Sequence, residues 1–244
     1  MTREENVLLT VESEGIARAY ARDFDDLWRR GRVEGSGSFD VSAVEVGGVP
    51  VRVWFSPGRG SELSHRIAAR IGAAQRRVRI ASPVLTAAPV LAALNQALSE
   101  GVVDVAGVCD ATQIGQVFCQ WRTNEHSAWK APLLARVLSG LPWAGKVSTP
   151  YAPGAVHDYM HAKVTVADDV VFIGSFNLSR SGEENAENVL EISEPGLAER
   201  IAAFVDAIRL RYPPVTVPSY VATDTSPPDT EIRRPADVSG RPPA

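Results

Sequence analysis

Between residues 161 and 187 the chain carries His161-Ala162-Lys163, Asp168, Gly174-Ser175-Phe176-Asn177 and Glu187. This interval holds a nucleophile, a cation, hydroxyl and amide donors and a carboxylate. Together they are the groups needed to attack a phosphodiester without a metal. The chain carries the set once.

The elements that must position these groups follow from local pattern. Residues 161–167 (HAKVTVA) and 170–173 (VVFI) are rich in β-formers and flank Asp168-Asp169, so they predict a β-hairpin. Alternation puts His161, Lys163 and Thr165 on one face and Ala162, Val164 and Val166 on the other. The apolar set goes to the core, and the imidazole and ammonium face a cleft. Gly174 allows close backbone approach. Ser175 and Asn177, two apart, present a hydroxyl and a carboxamide on one side. Residues 179–186 form a polar loop, and 187–192 (ENVLEI) a further strand.

A single histidine on a strand is usually a satisfied polar residue, so the combination carries the argument. His161, Lys163 and Asp168 fit H-x-K-x4-D, and Gly174, Ser175 and Asn177 fit G-S-x-N. In these residues the chain resembles the HKD motif of the phospholipase D superfamily. The spacing from Asp168 to Gly174 is one residue shorter than the family's usual one, which a tighter turn accommodates without flipping side chains. With Phe55-Ser56-Pro57 upstream, the resemblance spans about residues 50–212. It implies an α/β fold, an α-β-α sandwich lobe with a mixed sheet. It also implies a phosphodiesterase in which His161 attacks phosphorus to give a phosphohistidine. A second motif's histidine would protonate the leaving alcohol and then activate water or an acceptor alcohol. Lys163, Ser175 and Asn177 would hold the phosphoryl oxygens. Glu187 would orient the imidazole. Asp168 belongs to the catalytic motif but is expected to act as a structural anchor. No metal or cofactor is implied.

The second histidine has to come from elsewhere. Residues 5–9 (ENVLL) repeat 187–191 (ENVLE). Ile16, Tyr20, Phe24 and Leu27 align with Leu197, Ile201, Val205 and Ile208 after a one-residue gap. Residues 1–32 therefore resemble the strand and helix that would close a first lobe, with Glu5 as the orienting carboxylate of an absent histidine. Three readings are open: part of a two-lobe protein, a single-motif chain that dimerises so that two copies of His161 meet, or a degenerate lobe that binds without turnover.

Composition sets the remaining bounds. The 244 residues suffice for one large domain. A net charge of −4 weighs against a general nucleic-acid binder. It favours a phospholipid or related diester as substrate over nucleic acid; a homodimeric nuclease of the same fold and a non-catalytic phosphate-binding lobe are the alternatives. Cys109 and Cys119 are too few for a disulfide scaffold or zinc site, and are expected as reduced, buried thiols. The N-terminal residues lack an apolar signal region, and no apolar run is long enough to cross a membrane. A soluble protein is expected, cytoplasmic by default.

The expected organisation is a linker over 33–49 (Gly/Ser-rich at 33–41), the lobe over 50–212, and a disordered tail over 213–244, which holds eight of the 17 prolines. Strands are predicted at 51–55, 78–82 and 102–108. Helices are predicted at 61–75 (capped by Ser61), 87–98, 112–120, 132–138 and 195–212. Asp110 is expected to cap the helix that follows it. Trp121, His126 and Trp129 are read as packing before pocket lining. His157, Asp158 and His161 make a poor metal cluster, because alternation separates Asp158 and Lys163 would repel a cation.

Overall fold

The computed structural model describes residues 4–39, 42–150 and 152–221. Eight strands make one mixed sheet: β1 (Val44–Val46), β2 (Val49–Phe55), β3 (Arg77–Ala81), β4 (Asp104–Asp110), β5 (Trp143–Lys146), β6 (Val164–Ala167), β7 (Val170–Gly174) and β8 (Asn188–Ser193), in the order β1-β2-β8-β7-β6-β3-β4-β5. β3, β4 and β5 run parallel; the other pairs are antiparallel. The helices are α1 (Glu14–Arg30), α2 (Gly60–Gly72), α3 (Ala88–Glu100), α4 (Ala111–Thr123), α5 (Glu125–Ala128), α6 (Lys130–Gly140), α7 (Arg180–Glu184) and α8 (Pro195–Arg209).

The sheet is covered on both faces. Ile67, Leu91, Leu94, Phe118 and Leu134 belong to one buried cluster, under α2, α3, α4 and α6. Val51, Val166, Ile192, Val205 and Ile208 belong to the other, under α8. This is the α-β-α sandwich the sequence predicts. The hairpin turn is two residues long, with Ala167 paired to Val170, so the short spacing after Asp168 is absorbed there. Ala162, Val164 and Val166 enter the α8-side core. Lys163 and Thr165 line a small cavity on the other face, beside Phe172 and Phe176. The alternation therefore holds, although the strand begins only at Val164.

Several expectations change. Part of the 33–49 segment is sheet: β1 turns into β2 through Gly47 and Gly48, both at positive φ (59° and 81°). Residues 5–9 do not form a sheet strand; only Glu5 bridges, to Met160. α2 begins after Arg59, not at a Ser61 cap. α7 occupies the predicted polar loop. The start of the tail is packed: Pro214 bridges Ala144, Val215 N–H donates to Trp143 O (3.1 Å), and Val215 is buried. Residues 222–244 of the tail lie outside the described residues. Cys109 is buried as expected, but Cys119 is exposed. Among the described residues no helix is long and apolar enough to cross a membrane.

Candidate active site

His161 sits where the chain enters β6, clamped from the N-terminal segment. Its N–H and that of Ala162 both donate to Glu5 O (3.1 and 2.7 Å). The imidazole Nδ1 lies 3.5 Å from Asn6 Nδ2, and the Tyr159 ring meets it edge-on at 5.0 Å. Burial and then the Lys163 charge hold the imidazole below the ordinary histidine value, against the opposing charges of Glu4 and Glu187. The environment therefore favours the neutral imidazole, the form a nucleophile needs.

Lys163 is more deeply buried. Its Nζ donates to His161 O (2.7 Å), tying the two motif residues together. Burial brings its pKa down to about 8, and Glu187 and Glu4 resist the shift. The structure thus brings His161, Lys163 and Glu187 within each other's fields. Glu187 shares no hydrogen bond with the imidazole. Its carboxylate accepts from Asn185 Nδ2 (3.4 Å), and its backbone is fixed by buried Ser56: Ser56 N–H donates to Glu187 O (3.0 Å), and Glu187 N–H donates to Ser56 Oγ (3.2 Å). The side-chain contact described for the imidazole nitrogen is the one to Asn6. In the sequence Glu5-Asn6 repeats Glu187-Asn188, a pattern that gives Asn6 no role of its own.

Ser175 Oγ accepts from Asn188 N–H (3.0 Å) and Nδ2 (3.3 Å), and Asn188 in turn accepts from Tyr20. Ser175 thus holds the start of β8 to the loop after β7. Asn177 Oδ1 is buried without a hydrogen-bond partner among the described residues, which leaves the carboxamide open to a ligand. Asp168 is not at the site. It lies beyond the far end of β6, at φ 51°, where its carboxylate accepts the N–H groups of Gln75, Arg76 and Arg77 (2.8–3.1 Å). Burial would raise its pKa, but these bonds outweigh it and hold the group low. Its place in the motif records an anchor, not a reacting group.

Glu5 is also used structurally. Its carboxylate accepts from the Tyr212 hydroxyl and lies 3.7 Å from buried Lys146, which pairs with Asp158. Asp110 caps α4 through Gln113 N–H (2.9 Å) and also receives Met160 N–H (3.2 Å), so one side chain ties β4 to the approach to His161. No three His, Cys, Asp or Glu converge as metal ligands among the described residues.

A mixed sheet sandwiched by helices, with an H-x-K entering a central antiparallel strand, defines a phospholipase D-like lobe. A family model described as "Cardiolipin synthase, PLD-like domain" matches residues 67–209. The chain belongs to that family, within the phospholipase D superfamily. Among solved structures, the chain is similar to a phospholipase D family member, Nuc, from Salmonella typhimurium (25% identity, 66% of this chain and 94% of that one, TM-score 0.48). It is also similar to NucT from Helicobacter pylori (19%, 67% and 97%, 0.51) and to phosphatidylserine synthase from Haemophilus influenzae (14%, 76% and 40%, 0.45). No curated protein matches the sequence.

Proposed function

We propose that this chain is a phosphodiesterase working through a phosphohistidine at His161, on a phospholipid or related diester. The observation that supports this most is the pairing of a half-buried imidazole, whose surroundings favour its neutral form, with Lys163, whose Nζ is tied to the His161 backbone. The imidazole attacks phosphorus and the P–O bond to the leaving alcohol breaks. Lys163 and Asn177, supported by Ser175, hold the phosphoryl oxygens as charge builds on them. Asn6 and the charge of Glu187 keep the imidazole oriented. A second histidine, from another copy of this chain or a complementing lobe, protonates the leaving oxygen and then activates water or an acceptor alcohol. The family description and the acidic overall charge favour a lipid diester over nucleic acid.

The test is hydrolysis of a chromogenic phosphodiester in excess chelator, with His161→Asn alongside. Activity should survive the chelator and fall by at least about 10³-fold in the variant. Activity lost to the chelator, or retained by the variant, would remove His161 as the nucleophile.

A further inference from the structure

Beside the candidate phosphate site lies a cavity of about 440 Å³ that the reaction scheme does not use. Asn177 lines it, so it opens next to the carboxamide assigned to the phosphoryl oxygens. One face of α4 lines it, with Gln113, Gln116 and Gln120 recurring at helical spacing. Lys130, at the start of α6, and Arg180, at the start of α7, supply two cations. No aspartate or glutamate is among the lining residues.

The charges are only weakly compensated. Arg180 pairs with Glu184 (2.9 Å), but both side chains are exposed and such a pair contributes little. Lys130 donates to Thr86 O (3.5 Å) and makes no ion pair among the described residues. Burial and then Arg180 lower its pKa, with Glu183 acting the other way. Its Nζ lies over the rings of Trp121 (5.5 Å) and Trp129 (5.9 Å). Those are the aromatic faces that a quaternary ammonium would seek, and they are already taken by a cation.

Resting on the phosphodiesterase reading, we propose that this cavity receives one substituent of the scissile phosphate, and that the substituent is a hydroxylated, anionic group such as a polyol phosphate. The amides hydrogen-bond the hydroxyls; Lys130 and Arg180 take the second negative charge. A choline substituent would meet two positive charges and no free aromatic face.

The experiment uses nitrophenyl phosphodiesters whose second substituent is ethyl, choline or glycerol 3-phosphate. Wild-type kcat/KM should rank glycerol phosphate above ethyl and ethyl above choline. Lys130→Gln should cut the glycerol phosphate advantage by about 10- to 100-fold, the worth of one charge-assisted hydrogen bond, and leave the ethyl diester within about twofold. Equal rates on the three diesters, or a choline preference, would overturn the subsite while leaving the phosphodiesterase reading in place. In parallel, glycerol 3-phosphate is titrated against tryptophan fluorescence, in which Trp121 and Trp129 are two of the five emitting residues; a Trp121→Phe variant identifies the part of the signal that comes from the cavity. Saturable quenching that Lys130→Gln weakens, with no turnover of any diester, would keep the anion site and sink the catalytic reading. A single-stranded oligonucleotide that displaces glycerol 3-phosphate at lower concentration would overturn the polyol assignment in favour of a polynucleotide backbone.

Discussion

At the scale of residues, two members of the motif do different work from what their proximity in sequence suggests. Asp168 holds three backbone N–H groups at the far end of β6, whereas Lys163 is bonded to the His161 backbone at the near end. The strand between them explains both positions. Lys163 also makes the site pH-sensitive. Burial brings its pKa down to about 8, so raising pH through 8 removes the charge that the proposed mechanism sets on the phosphoryl oxygens. We expect kcat/KM to fall on the alkaline side with a midpoint near 8. Lys163→Arg should move that limb upward, because a guanidinium stays charged, even if the plateau rate drops. A limb that Lys163→Arg leaves in place would belong to another group, and Lys163 would lose its role on phosphate. The faces of residues 162–166 were legible from sequence, because alternation sends Ala162, Val164 and Val166 to one side and Lys163 and Thr165 to the other. Asn6 was not, because its approach to His161 crosses 155 positions of chain.

At the scale of elements, long periodic segments were readable and short ones were not. α2 and α8 bury residues that their spacing nominates, Leu63, Ile67 and Ile71 in the first and Ile201, Val205 and Ile208 in the second. β5 escaped notice because it is four residues long and carries buried Lys146, whose partner Asp158 lies beyond the strand. The packing of residues 213–221 also went unread, since a proline-rich segment carries no periodicity. These residues close the edge of β5: Gly145 N–H donates to Pro213 O (2.9 Å), and Val215 fills a slot beside Trp143. Ending the chain at Tyr212 should cost about 2–4 kcal/mol, one buried valine and two backbone hydrogen bonds. A lower urea midpoint at an unchanged slope would be the sign of it. A midpoint equal to the full chain's would mean that this segment rests on the sheet without stabilising it.

At the scale of the whole molecule, α1 and α8 show how far an internal repeat can be read. Their apolar residues recur in the same order, yet α8 buries Ile201, Val205 and Ile208 against the sheet. α1 buries Ile16, Asp23 and Asp26, and leaves Phe24 and Trp28 exposed and stacked on each other. Periodicity tells which residues are apolar; it does not tell what covers them. The same gap separates the motif from a complete catalytic centre, because the mechanism proposed above needs two histidines and the H-x-K pattern occurs once. If two copies of this chain share one site, the defect of His161→Asn should spread to its partner. Co-expressing equal amounts of wild type and variant would then leave only wild-type pairs active, and activity per wild-type chain should fall to about half, the fraction of wild-type chains paired with their own kind in random two-fold assembly. Excess variant should drive it further down in proportion. Activity per wild-type chain that ignores the variant altogether would sink the shared site, and the proton donor would have to be sought within one copy.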